Sequence, residues 1–393
     1  MEVIPYGRQN ISQEDIESVI SVLKSDFLTQ GPAVPSFEKS VSDYVGSKYA
    51  YAVNSATSGL HLACIALGVG PGDRVWTSPI SFVASANCAL YCGASVDFVD
   101  IDPITYNLSV DRLEEKLIAA EKNGLLPKVV IPVHLAGQSC DMERISLLGK
   151  RFGFRIIEDA SHAIGGSYKA TKVGSCLYSD ITVFSFHPVK IITSGEGGMV
   201  TTNDDHISEH IYRMRSHGIT RNPQEMTKPA DGPWYYQQIE LGYNYRMTDI
   251  QAALGFSQMT RLDEFVKRRH EIFQSYKRLL GDLDLKLPTL VDYAHSALHL
   301  YVIRVPNGGA LKANRKELFE RLRLHNVIVN VHYIPIYSQP YYTKFGYDSN
   351  QYPEAEAYYS EAISLPMYPD LTDSQLEYVR ESLVKPIGHQ TIF

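Results

Sequence analysis

The chain has 393 residues, 44% of them hydrophobic, enough to bury a large core and, by length, to make two domains. Lys and Arg number 37 against 44 Asp and Glu, a formal net charge of -7, and no dense basic patch marks a nucleic-acid or anionic-membrane surface. No apolar run reaches the roughly 18 residues that a membrane span needs, and Met1–Asn10 lacks a signal peptide's basic start and apolar core, so the sequence reads as cytoplasmic. Cys64, Cys88, Cys92, Cys140 and Cys176 are odd in number and contain no C-x-x-C, which fits reduced core thiols better than a disulfide framework or a metal site.

From residue 49 to 202, short β-branched runs alternate with helix-length segments: Tyr49–Val53, Arg74–Pro79, Val96–Ile101, Lys128–His134, Arg155–Ala160, Ile181–His187 and Met199–Thr202. Such alternation predicts βαβ units around a mostly parallel sheet covered on both faces, an α/β fold. Runs such as Val129-Val130-Ile131 are apolar throughout, as burial on two sides demands. Thr220–Glu240, rich in Pro, Gly, Gln and Tyr, reads as an excursion from the core.

Thr248-Asp249 is a good N-cap for a long amphipathic helix carrying Ile250, Leu254, Leu262, Val266 and Phe273. A strand at Leu298–Val305, a helix near Leu311–His325, a strand at Val327–His332 and helices after Tyr352 and Thr372 complete a smaller α+β domain. The predicted division is 1–247 and 248–393.

Ligands of such sheets sit at the carboxyl ends of the strands, and four of those ends carry suggestive residues. Asp159 closes one strand; alone it would read as a helix cap. Lys190 follows 31 positions later among Val189, Ile191 and Ile192, surroundings in which a lysine can lose its proton and act as a nucleophile, although a lone lysine reads more simply as a snorkelling stem. Gly195-Glu196-Gly197-Gly198 allows close backbone approach. Asn54–Gly59 opens the helix after the first strand, where free N–H groups, the helix dipole and the hydroxyls of Thr57 and Ser58 suit a phosphate, or simply cap the helix.

Their order along one chain resembles the large domain of fold-type-I pyridoxal-phosphate (PLP) enzymes. Ser185-Phe186-His187-Pro188-Val189-Lys190, Glu158-Asp159-Ala160-Ser161-His162 and Asn244-Tyr245-Arg246-Met247 are similar to the sugar-nucleotide aminotransferases, over nearly the whole chain. The resemblance implies a seven-stranded, mostly parallel sheet, with Lys190 holding PLP as a Schiff base and moving protons, and with Asp159 pairing with the pyridine nitrogen. It implies a phosphate site at Ala56, Thr57, Ser58 and Ser185, with Phe82 stacked on the ring and His162, where many relatives have Gln, beside it. Asn244 would reach the phosphate of the other subunit of a homodimer. A nucleotide sugar would meet Tyr6, Phe27-Leu28-Thr29 and His332-Tyr333-Ile334-Pro335.

Within the family, Thr77–Asn87, Ser185–Gly198, Arg215–Gly218 and His332–Tyr337 resemble the C4 aminotransferases of pseudaminic acid biosynthesis, which pass an amino group from L-glutamate to a UDP-linked 4-keto-6-deoxy-N-acetylhexosamine. Nothing in spacing or composition specifies the sugar's configuration, and another keto-sugar nucleotide is the nearest alternative. Lys190 and Asp159 argue against a non-catalytic regulatory homologue, and Lys190 against the related dehydratases that carry histidine in its place.

Overall fold

The computed structural model describes residues 2–306 and 313–385. All seven predicted strand runs enter one sheet: β1 Tyr49–Val53, β2 Arg74–Thr77, β3 Ser95–Phe98, β4 Val129–Ile131, β5 Arg155–Asp159, β6 Ile181–Ser185 and β7 Gly198–Thr202. Their order is β1-β7-β6-β5-β4-β2-β3. The pairings from β3 through β6 are parallel, and β7 is antiparallel to both its neighbours. Several strands end before their apolar runs do, because the last residues leave the sheet to line its carboxyl edge; Val133, beyond β4, makes only a single bridge to Asp159.

Burial on both faces follows from the pleat. Val129 and Ile131 join the cluster formed with Leu60 and Ala63, whereas Val130 points the other way, towards Leu113, Leu117 and Ile145. Each such fully buried aliphatic contributes about 1.5–3 kcal/mol, so helices are needed on both sides. The helix Ala56–Ala66 covers the first face, capped by Ser55, whose Oγ accepts the Ser58 N–H at 3.1 Å. The helices Val110–Asn123 and Met142–Phe152 cover the second.

The predicted long helix after Thr248 is instead two. Asp249–Met259, opened by a Thr248–Gln251 capping box, packs on the helices Gln13–Leu23 and Ala33–Val45, whereas Leu262–Leu280 packs on the helix Asp373–Val384. The break falls at Thr260 and Arg261, where Thr260 Oγ1 donates to the Ser257 carbonyl at 2.7 Å and Arg261 is drawn aside to the buried Asp15 carboxylate and to Asn10. A sequence period cannot show such a break, because both halves keep the same apolar spacing.

The second core gathers Ile272, Tyr276, Leu318, Leu376 and Val379 around the antiparallel pair β8 Tyr301–Arg304 and β9 Ala362–Leu365. The helix Arg315–Leu324 belongs to it; Leu311 and Lys312, the predicted start of that helix, lie outside the described residues. Val327–His332 does not form the predicted strand, because its neighbours meet it only at points: Val327 bridges Ile4, and Asn330 bridges Ser364. Ile4 is itself fully buried in this second core. Thr220–Glu240 is the predicted excursion, crossed by a two-residue pairing of Ile219–Thr220 with Gln237–Gln238.

Among the described residues no helix is long and apolar enough to cross a membrane. All five cysteines are free, four of them buried and Cys92 half-buried.

Candidate active site

Four chain segments converge on the carboxyl edge of the sheet. β5 ends there in Asp159, β6 in Ser185, β1 runs through Asn54 and Ser55 into its helix, and antiparallel β7 begins there with Gly198. They surround a cavity of about 770 Å³, closed from the second core by Tyr6, His299 and Asn330–Tyr333. Its size suits a small ligand buried over most of its surface.

Asp159 is buried beside the cavity. Its Oδ2 accepts the Ser85 hydroxyl at 2.6 Å and its Oδ1 accepts the Ser161 N–H at 3.1 Å. Ser85 has one proton and gives it to Asp159, so Ser81, 2.7 Å from Ser85, must be the donor in that pair. Glu158 points to the other face of the strand, where His134 (2.7 Å), Thr182 (3.1 Å) and Ser179 hold its carboxylate.

Lys190 sits on the loop joining β6 to β7. Phe186 N–H to the Gly197 carbonyl (2.9 Å) and Ser194 N–H to the Phe186 carbonyl (3.0 Å) close that loop, and buried Ile191 and Ile192 seat it. Burial lowers the lysine's pKa to about 8, with the Asp159 charge opposing. Among the described residues no hydrogen bond or ion pair reaches its ammonium. A carboxylate near enough to act on the amine, yet not in contact with it, leaves room for a ring between them.

His162 lies beside this pair, and burial, then the Lys190 charge, hold it well below its usual pKa, so it is neutral. Its Nδ1 accepts the Ala136 N–H at 3.3 Å, which places the ring proton on Nε2, 3.1 Å from the Tyr333 oxygen. Burial raises the Tyr333 pKa, and that hydroxyl is left free to donate into the cavity. Burial and Lys190 push His332 down to about 3, and its Nδ1 is 2.8 Å from Ser364 Oγ.

At the opposite end, Ser58 Oγ donates to Asn54 Oδ1 at 2.6 Å and is spent on the helix cap. The N–H groups of Ala56 and Thr57 and the hydroxyls of Thr57 and Ser185 line the cavity without a hydrogen bond among the described residues. Gly198 passes beneath them so closely that a Cβ would stand 2.7 Å from the Ala56 nitrogen. Phe82 is 58% exposed at the cavity wall, 6.2 Å from the Tyr333 ring, and is no core aromatic.

The cavity thus unites Tyr6, Ala56, Thr57, Ser58, Phe82, Asp159, His162, Ser185, Lys190, His332 and Tyr333. It does not include the others. Phe27, Leu28 and Thr29 lie on an exposed turn whose Leu28 carbonyl accepts the Asp249 N–H at 3.0 Å. Ile334 is exposed, Pro335 is buried beyond the cavity, and exposed Asn244 bridges Ser216 through its backbone. His299, Asn330 and the Ser81–Ser85 relay were missed. The four-residue spacing of Ser81 and Ser85 was a readable signal; His299 gave none, since its place 4.4 Å from the His162 ring depends on packing between distant segments.

These residues fit PLP: a free amine, a carboxylate fixed by two hydrogen bonds, unpaired donors at a helix start and an exposed aromatic wall. Residues 9–384 match the DegT/DnrJ/EryC1/StrS aminotransferase family. The chain belongs to that family.

Proteins similar to this family member include the spore coat polysaccharide biosynthesis protein SpsC of Bacillus subtilis, 39% identical over 97% of this chain and 96% of that protein. The UDP-4-amino-4,6-dideoxy-N-acetyl-beta-L-altrosamine transaminase of Campylobacter jejuni is 37% identical over the same shares. Among solved structures, Helicobacter pylori PseC, an aminotransferase of pseudaminic acid biosynthesis, superposes with a TM-score of 0.87 at 31% identity, covering 97% of this chain and 98% of that one. The PMP form of a sugar aminotransferase from Streptococcus pneumoniae gives 0.87 at 30%, with the same coverage; the same enzyme is also solved in its PLP form. The fold is that of the PLP-dependent aminotransferases, and the chain is a PLP-dependent sugar aminotransferase.

Proposed function

We propose that this enzyme transfers the amino group of L-glutamate to C4 of a UDP-linked 4-keto-6-deoxy-N-acetylhexosamine, releasing 2-oxoglutarate and the 4-amino sugar, and that it works as a cytoplasmic homodimer. The observation that carries the chemistry is Lys190, unpaired and partly desolvated in one cavity with Asp159. The sugar rests on likeness to the Campylobacter jejuni transaminase and to Helicobacter pylori PseC.

When bound, PLP supplies an aldehyde that captures amines and a ring that draws electrons from Cα. Asp159, fixed in place by Ser85 and Ser161, would hold the proton on the ring nitrogen. Lys190 would hold PLP through its Nζ and, once freed by the amino donor, would hold and move the proton at that atom, as base and then as acid. Ala56, Thr57 and Ser185 would hold the phosphate and Phe82 would cover the ring, while His162 offers Nε2–H and its neutral state spares Lys190 a competing charge. Tyr6, His332 and Tyr333 bound the acceptor side of the cavity, and Phe27-Leu28-Thr29 and Asn244 serve the site of the other subunit.

A panel of keto-sugar nucleotides offered with L-glutamate tests the acceptor. The UDP-4-keto sugar is expected to have the highest kcat/KM; a preference for a different keto sugar would overturn the assignment. That second reading draws on the SpsC relative, which is as similar as the transaminase.

A further inference from the structure

Two buried hydroxyls beside the cavity serve neither a helix cap nor a turn. Ser81 precedes the helix Ala84–Tyr91 and Ser85 lies in its first turn. Ser81 is 3% exposed and Ser85 fully buried, next to buried Ile80, Ala84 and Ala86, where a hydroxyl without a partner is costly. A serine at a helix start ordinarily caps it, as Ser55 does for the helix Ala56–Ala66. Here the cap position is Val83, and no side chain caps the helix. Ser85 instead reaches 74 positions along the chain to Asp159 Oδ2 at 2.6 Å, and Ser81 stands behind it at 2.7 Å. The donated hydrogens therefore run one way, from Ser81 to Ser85 and from Ser85 to Asp159.

The segment that carries both serines is held at its two ends by a distant part of the chain. The Ile336 N–H donates to the Pro79 carbonyl at 3.0 Å, and the Tyr342 hydroxyl donates to Asn87 Oδ1 at 2.6 Å.

We propose that Ser81 and Ser85 are positioning residues for the cofactor, holding the Asp159 carboxylate in the orientation from which it meets the ring nitrogen. This rests on the pairing of Asp159 with that nitrogen. Strand β5 places the Asp159 backbone, but the torsion that turns an aspartate carboxylate has broad, shallow wells, so the strand does not fix the plane of the group. Two contacts do. Ser161 N–H reaches Oδ1 at 3.1 Å from only two residues away, whereas Ser85 reaches Oδ2 from a separate helix and ties the carboxylate to it. Ser81 acts through Ser85: by donating to that hydroxyl it turns the Ser85 hydrogen towards Asp159, and without it the hydroxyl is free to rotate. Neither serine transfers a proton in the reaction.

PLP isotope-labelled at its ring nitrogen and bound to the purified enzyme tests this, because the nitrogen's NMR signal shows whether it carries a proton, independently of turnover. In Asp159→Asn the ring proton should be lost at lower pH than in the wild type. In Ser85→Ala the midpoint of that loss should fall by about one pH unit or more, a tenfold weaker hold, and in Ser81→Ala by less. Adding Ser81→Ala to Ser85→Ala should change nothing further, since both act through one oxygen. A midpoint in Ser85→Ala equal to or above that of the wild type, while Asp159→Asn lowers it, would overturn the proposal and leave the role of Asp159 standing. No change in Asp159→Asn would overturn both. Equal effects of Ser81→Ala with and without Ser85 would break the relay. Where Ser85→Ala does not fold, Ser81→Ala decides alone, because it leaves the Ser85–Asp159 bond in place: an unchanged midpoint overturns the proposal.

Discussion

At the scale of single residues, the proposed site joins a lysine whose pKa burial lowers to a carboxylate fixed by two hydrogen bonds. Asp159→Asn retains the Ser85 and Ser161 contacts in shape but loses the charge, so the protein should fold while the ring nitrogen loses a partner worth about 3–4 kcal/mol, a fall in kcat of roughly two to three orders of magnitude. Steady-state kinetics with a melting curve checks both halves, and full activity would remove Asp159 from its role. The lysine also makes a stability prediction for the apoenzyme. Its folded pKa, about 8, lies below the ordinary 10.5, so between those values the unfolded chain binds more protons and stability rises with pH. The slope is at most about 1.4 kcal/mol per pH unit. Denaturant titrations from pH 7 to 10.5 should show the rise in the apoenzyme and not in Lys190→Met; equal slopes would count against the buried amine. Both residues were legible because a strand-end Asp and a lysine 31 positions later keep a spacing that one chain can display. The Ser81–Ser85–Asp159 relay and the His162–His299 contact were not, because a hydroxyl's choice of partner and a ring's neighbour are fixed by packing.

At the scale of elements, β7 matters because it passes under the helix start that we propose holds the phosphate. Gly198→Ala would set a Cβ 2.7 Å from the Ala56 nitrogen, a backbone atom that cannot rotate aside. Overpacking of this kind costs about 1–3 kcal/mol, and the displaced helix start should weaken PLP binding as well. Thermal melting and fluorescence titration with PLP measure the two effects; unchanged values for both would show that the helix start is not where the phosphate is held. The seven strands were readable from their apolar and β-branched runs, most clearly at Val129–Ile131, Ile181–Ser185 and Gly198–Thr202, where burial on two faces leaves a signal at every position. The split at Thr260–Arg261 was not readable, because Arg261 turns towards Asp15 and Asn10, some 246 positions or more away in sequence. Val327–His332 misled for a related reason: its composition suits a strand, but its neighbours offer only point contacts.

At the scale of the whole molecule, the sequence suggested a simple division near residue 247, and we propose two structural units in that order, with two exchanges across the boundary. Ile4 and its hydrogen bonds at Asn326 and Ile328 join the amino end to the second core, while the helix Asp249–Met259 packs on the first. Such long-range joins leave no local trace in composition. Asn244 and Phe27-Leu28-Thr29 lie outside the cavity of their own chain, which is the arrangement a shared site requires. Mixing inactive Lys190→Ala with an inactive Asn244 variant should then restore up to about a quarter of the wild-type activity as subunits exchange, because statistical pairing leaves one intact site per mixed dimer. No recovery after demonstrated exchange would show that each chain builds its site alone.

The account rests most heavily on the identity of the amine that holds the cofactor. Incubating the purified chain with PLP, reducing with borohydride and mapping the labelled peptide by mass spectrometry should place a single pyridoxyl group on Lys190, and none should appear there when L-glutamate is added before the reductant. A label on another lysine, or labelling of Lys190 that glutamate does not prevent, would contradict it.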